Sequence, residues 1–343
     1  MDLGESITLV ENKIEQICND LIELSPIDLR KLLLHFKEFT LRPGKRIRPL
    51  LLLTSYIGYG GKNYEDALTL AAVLEIMHSF LLVHDDIIDN SEFRRGKPTL
   101  HKIYEKMYNS EKLGKDLAIV VGDIVGFQMI GILSQLDTDE TTLRRLVKSF
   151  SECYVNTGFG QLLDVLVTGR IDRTYIQGDI PEYISELKTA YYTLVYPILL
   201  GYYLSGKYDE EEISNIFHVG KNAGIAFQYR DDIIGIFGGD AKSLNDLHEG
   251  KLTSIVKLTY ESLNERHKEQ FLHVISKSEK TPEDIEYLKL MIKQTNAVDK
   301  LLNKINRLLD ESVSYIEKLK ITKESKDTLL RLINKIREVP NCN

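Results

Sequence analysis

Three carboxylates fall within five residues at Asp85-Asp86-Ile87-Ile88-Asp89, at the end of a long apolar stretch. At 3.6 residues per turn Asp85 and Asp89 stack on one helix face, and His78, two turns earlier, falls on nearly the same face. Carboxylates one turn apart repel each other, and acids at a helix C-terminus oppose the macrodipole, so the arrangement favours a bound cation. With oxygen ligands only and a phosphate partner, Mg²⁺ is the natural ion, because it keeps part of its water shell. The competing reading is a solvated acidic helix end, which a single cluster fits equally well.

A second acidic pair, Asp231-Asp232, follows Gln228, and positions 228, 231, 232 and 235 share a helix face. Lys242, Asp246 and Lys251 come next, in a segment that opens Phe237-Gly238-Gly239. Acids alone would suit a metal; acids interleaved with lysines suit a metal together with a diphosphate. Basic side chains cluster in two helix breaks, Arg42-Pro43-Gly44-Lys45-Arg46-Ile47-Arg48-Pro49 and Arg94-Arg95-Gly96-Lys97-Pro98. Arg contacts phosphate bidentately, and Gly lets the backbone approach a ligand. Either run alone reads as a solvated loop, but two of them flanking a carboxylate helix in an acidic protein point to diphosphate binding.

These groups need rigid elements to hold them, and helical periodicity supplies the elements. Apolar residues recur at helical spacing, as in Leu21, Leu24, Leu29, Leu32, Leu33 and Phe36, while strand-like alternation is scarce. The pattern predicts an all-α helix bundle with helices over 5–23, 26–38, 46–59, 64–89, 99–108, 115–135, 140–168, 182–204, 209–237, 251–276 and 282–336, the last broken. Starts are marked at Ser25-Pro26 and by a capping arrangement at Thr281 and Asp284. Segments 41–49, 90–98 and 238–250 are the candidate active loops. Without a Ser/Gly/Pro-rich linker, residues 1–343 read as a single domain.

With 43% hydrophobic and 28% charged residues, the chain can bury a substantial core and still enclose a pocket. A net charge of -7 argues against general nucleic-acid binding, which needs an excess of clustered Lys and Arg. Cys18, Cys153 and Cys342 are scattered and odd in number, as expected of reduced thiols in a cytoplasmic protein. Residues 1–15 lack the basic start and apolar run of a signal peptide. Leu194 to Leu204 reads as the most apolar stretch; Pro197 and Gly201 interrupt it, and it falls short of the ~20 residues that span a bilayer. A soluble protein, not an integral membrane one, is expected.

The segment HSFLLVHDDIIDNSEFRRGKPTLH, residues 78–101, resembles the first aspartate-rich region of the trans-polyprenyl diphosphate synthases. GKRIRP at 44–49, KTA at 188–190, and FQYRDDIIGIFGGDAK continuing to GKLT at 227–253 resemble that family's other motifs in the same order, together covering about residues 41–255. The resemblance implies an isoprenoid-synthase helix bundle with a central cavity, and a homodimer. It implies a Mg²⁺-dependent condensation of isopentenyl diphosphate with an allylic diphosphate.

Residue by residue, the resemblance implies three Mg²⁺ ions. Asp85 and Asp89 would bind two from one side of the allylic diphosphate, with Asp86 in support, and Asp231 with Asp232 a third from the other side. Arg94, Lys188 and Lys242 would hold that diphosphate, and Lys45, Arg48, His78 and Arg95 would hold isopentenyl diphosphate. Thr189 and Gln228, with Lys188, would line the point where the cation forms, and Lys251 and Asp246 would support from behind. The pattern departs at Gly235, where many members carry a third aspartate, and in a shorter loop after it.

Competing readings have specific weaknesses. A terpene cyclase holds no second diphosphate, so Lys45, Arg48 and His78 would have no task. A His-Asp hydrolase, suggested by His84-Asp85, wants a second histidine cluster that the other histidines do not form. A silent subunit of a heteromeric prenyltransferase does not need both acidic motifs intact. Product length is expected from the helix before Asp85: the growing tail would pass Phe80, Met77 and Leu74, which step down one flank by three residues. One helical turn of about 5.4 Å approximates an isoprene unit. Phe80 as the floor, with Leu81 beside it, resembles the archaeal-type geranylgeranyl diphosphate synthases and implies a C20 product, with C15 or C25 as alternatives.

Overall fold

The computed structural model describes residues 3–237 and 244–338. Lys242, Gly238-Gly239 and Cys342, singled out above, lie outside the described residues. Helices account for nearly all of what is described: α1 (Leu3–Leu24), α2 (Arg30–Leu41), α3 (Ile47–Gly58), α4 (Tyr64–Ile88), α5 (Leu100–Tyr108), α6 (Glu111–Leu133) and α7 (Glu140–Val167). Then come α8 (Arg173–Gln177), α9 (Ile180–Ile184), a wider π-helical segment (Ser185–Val195), α10 (Tyr196–Leu204), α11 (Glu210–Phe237), α12 (Asn245–Glu249), α13 (Ser254–Ser262), α14 (Glu265–Ile275), α15 (Pro282–Gln294), α16 (Ala297–Lys318) and α17 (Lys323–Asn334). Among the described residues, strand pairing is limited to β1 (Phe93–Arg94) and β2 (Lys97–Pro98).

Two compact units divide the chain: Met1–Lys148 with Leu200–Lys207, and Ser149–Leu199 with Tyr208–Asn343. In the first, α4 is the axis, packed by α1, α3 and α6. Asn63 caps α4 by accepting from the Asp66 N–H, and Glu65 and Asp66 complement the dipole in its first turn. From Ala67 to Ser79 nearly every side chain is buried, so α4 is apolar all round rather than on one stripe. By length and composition both α4 and α6 are apolar enough to cross a bilayer, a feature the focus on Leu194 to Leu204 overlooked. Burial of α4 on every side makes it a core helix instead.

In the second unit α11 packs against the π-helical segment and α16. The helix expected over 182–204 is therefore not a plain α-helix: its middle turns are wide, with the Tyr196 N–H bonding back to the Tyr191 carbonyl. The helix expected over 251–276 is two. Leu263 is extended, and the Asn264 side chain caps a new start by accepting from His267 N–H. The broken region 282–336 splits at Asn296, which is left-handed at φ 52°, and again before Thr322, which caps α17. The capping box at Thr281 and Asp284 is present in both directions. Ser25-Pro26 opens a short 3₁₀ turn, Ile27–Leu29, before α2, and α6 starts four residues early because Ser110 caps it.

Candidate active site

In the first unit, α4 delivers the first acidic motif at its C-terminal end. The Asp85 side chain remains 24% exposed and Asp89 caps the helix, half-buried, one turn on. Asp86 turns inward and is 1% exposed; its Oδ1 accepts from Arg94 Nε at 2.7 Å and Nη2 at 2.6 Å. Arg94 Nη2 also lies 3.5 Å from Asp85. The β1–β2 hairpin that carries Arg94 turns on Arg95 and Gly96, at φ 54° and 75°, the left-handed geometry two-residue hairpin turns demand. Thr99 closes it by donating to the Ser91 carbonyl at 2.7 Å.

The other basic run is tied to this hairpin through Arg42. Its buried guanidinium donates to Glu38 and, at 3.2 Å, to the Arg94 carbonyl, while its own carbonyl accepts from Arg95 at 3.0 Å and Arg46 at 3.1 Å. Arg42 thus holds the two loops together, Arg46 braces Arg42 from within its own loop, and Lys45 is left exposed. Arg48 Nη1 lies 3.3 Å from His78 Nδ1, and both residues are buried. A guanidinium only donates, so His78 Nδ1 accepts and Nε2 carries the proton. Burial, followed by the Arg48 charge, pushes the His78 pKa down to about 4. His78 therefore meets a ligand as a neutral donor, not as a cation.

Leu74 and Met77 are buried, and Phe80 and Leu81 are half-buried on the same helix. The Phe80 ring stands edge-on to His84, with centroids 4.7 Å apart. A Cβ on Gly126 of α6 would lie 3.4 Å from that ring, so α6 backs it closely.

In the second unit the π-helical segment carries Lys188 and Thr189. Neighbouring helices approach it through glycines: a Cβ on Gly160 of α7 would fall 2.2 Å from Lys188 N, and one on Gly224 of α11 2.4 Å from Ala190 Cα. Lys188 Nζ pairs with Asp164 Oδ2 at 2.5 Å. Asp164 escaped the sequence reading; the available signal was Gly160 and Asp164 one turn apart on α7, which is faint without knowing that Lys188 faces them. Thr189 Oγ1 donates to Gln228 Oε1 at 2.5 Å, and Gln228 Nε2 donates to Asp232 Oδ1 at 2.8 Å.

Asp232 is buried and also accepts from the Ser254 N–H at 3.1 Å. Its pKa is raised to about 7, chiefly by burial, with the charges of Asp246 and Asp231 adding and the Gln228 bond opposing. Asp231 keeps 46% of its side chain exposed, with Arg230 at 3.6 Å. A Cβ on Gly235 would come 2.8 Å from Asp246 Oδ2, so Asp246 occupies the space a side chain there would need. Lys251 sits between Glu249, at 3.0 Å, and Asp246, at 4.0 Å.

Each unit thus pairs an open carboxylate with an inward-turned neighbour. Among the described residues no three His, Cys, Asp or Glu side chains converge into a ready cage. Partly exposed, oxygen-only donors such as Asp85, Asp89 and Asp231 fit Mg²⁺, which binds through one or two carboxylates and takes water and phosphate for the rest.

The polyprenyl synthetase family model matches residues 30–292, through both units. This chain belongs to the polyprenyl synthetase family. As a member it is a prenyl-transferring enzyme of all-α fold, which sets aside the hydrolase reading. This polyprenyl synthetase is 34% identical to the geranylgeranyl diphosphate synthase of Saccharolobus solfataricus over 252 residues, 71% of this chain and 70% of that one. It is 33% identical to the geranylfarnesyl diphosphate synthase of Aeropyrum pernix over 252 residues, 71% and 74% of the two chains. Its structure resembles that of geranylgeranyl pyrophosphate synthase from Corynebacterium glutamicum, determined with isoprenyl diphosphate and magnesium. The TM-score is 0.88 at 28% identity, covering 98% of this chain and 99% of that one.

Proposed function

We propose that the chain condenses isopentenyl diphosphate with allylic diphosphates and releases geranylgeranyl diphosphate (C20), with C25 or C15 as the next readings. The observation that carries this is that one unit holds both the half-open carboxylates Asp85 and Asp89 and, two turns before Asp85 on α4, His78 in a buried pair with Arg48, which provides for two diphosphates held in different ways. The names of the geranylgeranyl relatives support C20, and that of the geranylfarnesyl relative keeps C25 open. The family match through both units supports reading them as one prenyltransferase domain. Labelled isopentenyl diphosphate supplied with dimethylallyl, geranyl or farnesyl diphosphate should give labelled products up to C20. A cyclase or a silent subunit would incorporate no label.

In this reading Asp85 and Asp89 would hold two Mg²⁺ and Asp231 a third, with Asp86 and Asp232 fixed behind them. Bound magnesium supplies charge neutralisation for the departing diphosphate. Arg94, Lys188 and Lys242 add donors to that group, Lys251 and Asp246 support them, and Lys45, Arg48, His78 and Arg95 hold isopentenyl diphosphate. As the C–O bond breaks with its electron pair, C1 of the primer becomes cationic. Gln228, oriented through Asp232, keeps its amide carbonyl oxygen and the Thr189 hydroxyl oxygen together as dipoles for such a charge. The isopentenyl double bond attacks C1, and the proton then lost passes to the departing pyrophosphate, restoring an allylic diphosphate.

Arg48→Ala should raise KM for isopentenyl diphosphate about tenfold or more while that for the primer stays near normal, since a charge-assisted phosphate contact is lost from one substrate alone. Steady-state kinetics with each substrate varied in turn reads the split. Equal effects on both would reassign the two subsites.

A homodimer is part of the same proposal. On α6, Leu113, Val120, Ile124 and Phe127 recur at helical spacing and are exposed, Phe127 by 76%. On α7, Val155, Phe159, Leu162 and Leu166 do the same, Leu162 by 67%. Apolar stripes of this size on helices of a water-soluble enzyme mark surfaces that another chain covers. Phe127→Glu combined with Leu162→Glu should convert the species seen by light scattering from dimer to monomer; an unchanged mass would sink this part. Buried Cys18, its thiol pushed up to about 12 by burial, rests as an unreactive thiol.

A further inference from the structure

Glu75 brings a charge into the interior that the mechanism above does not use. It lies on α4 one turn before His78, and its side chain is 2% exposed. Its Oε1 accepts from Arg46 Nη1 at 2.8 Å and sits 3.6 Å from His78 Nδ1. Burial alone would raise the Glu75 carboxyl, but His78, Arg48 and Arg46 outweigh it and hold the group below the usual carboxylate range. Glu75 is thus an interior anion bonded to Arg46 and flanked by the Arg48 charge.

Arg46 is the more unusual of these two cations. Its side chain is wholly enclosed, and all three of its nitrogens bond within the protein: Nη1 to Glu75, Nε to Glu11 at 3.1 Å, and Nη2 to the Arg42 carbonyl at 3.1 Å. Its backbone is left-handed, φ 46° and ψ 39°, immediately before α3 begins. A non-glycine residue stays in that region only where surrounding contacts hold it there. The direction in which α3 starts decides where Arg48, two residues on, meets His78.

We propose that Glu75 is a positioning residue for the isopentenyl diphosphate subsite, holding Arg46 in the turn that aims Arg48 at His78. The inference rests on the assignment of Arg48 and His78 to that substrate. Removing the carboxylate charge leaves the guanidinium groups of Arg46, Arg48 and Arg95 around an uncharged centre, where mutual repulsion releases the turn.

Glu75→Gln keeps the shape and removes the charge. In the folded variant, KM for isopentenyl diphosphate should rise about tenfold, the size expected for loss of one charge-assisted contact, with primer KM and kcat within about twofold. Arg46→Lys, which keeps the charge but loses the forked bonding, should show the same split more weakly and serves if Glu75→Gln does not fold. Calorimetric titration with inorganic pyrophosphate in EDTA reads the metal-free subsite independently of turnover, and Glu75→Gln should weaken it by a similar factor. Unchanged pyrophosphate affinity and isopentenyl KM in a folded variant, or an equal rise in both KM values, overturns the inference. If Arg48→Ala shows the substrate split and Glu75→Gln does not, the positioning role alone falls; if the wild type incorporates no isopentenyl label, the functional reading falls, and pyrophosphate binding still decides whether Glu75 sets up the Arg48–His78 pair.

Discussion

Asp85→Ala and Asp231→Ala should each cut turnover by on the order of 10³-fold or more, while the circular-dichroism melt stays close to that of the wild type. Both side chains are partly exposed, Asp85 by 24% and Asp231 by 46%, so neither truncation opens a sealed cavity, and the neighbouring Arg94 and Arg230 keep acceptors in Asp86 and the Glu338 carbonyl. What is lost is charge stabilisation that matters only as the diphosphate departs, which lowers kcat and kcat/KM together. The inward-turned neighbours should behave differently. Asp86→Ala leaves the Arg94 guanidinium without its closest acceptor, so stability and activity should fall together. Near-normal turnover of Asp85→Ala or Asp231→Ala at saturating Mg²⁺ would remove these residues from the metal assignment.

Phe80→Ala should shift the product from C20 to C25 and longer. The ring lies on the flank of α4 that leads back from Asp85 past Met77 and Leu74, and each helical turn of about 5.4 Å adds roughly one isoprene unit of depth. Phe80 is half-buried, whereas Leu74 and Met77 are buried, so it is the first large side chain on this flank to leave the core. It is held in place by His84 on its own helix and by the close approach of α6 at Gly126. Were Phe80 only a core residue, its loss would cost up to about 3–5 kcal/mol and leave the product unchanged. Chromatography of dephosphorylated products separates the two outcomes; an unaltered chain-length distribution would take Phe80 out of the ruler.

The acidic motifs were legible because carboxylates four residues apart share a helix face in any helix, whatever it packs against. Asp85 and Asp89 needed nothing but spacing. Spacing did not reveal that Asp86 and Asp232 turn inward, because orientation depends on which neighbours supply hydrogen bonds: Arg94 for one, Gln228 and Ser254 for the other. The basic runs show the same limit. Arg42 and Arg46 read like Lys45 and Arg48 in sequence, yet the first two are spent on carbonyls and carboxylates of the protein itself.

By itself the sequence determined the all-α class, the positions of most helices, the two acidic motifs and the family, since each rests on local periodicity or on ordered residue types. Tertiary structure alone decided the wide turns at 185–195, where glycines let α7 and α11 press against the backbone, and the pairing of Asp164 with Lys188 across 24 residues of chain. It alone placed Asp246 over Gly235 and Glu75 beneath Arg46. Contacts between residues far apart in the chain arise from packing, and packing reads volume, charge and hydrogen bonding in three dimensions, where a one-dimensional pattern carries little trace of them.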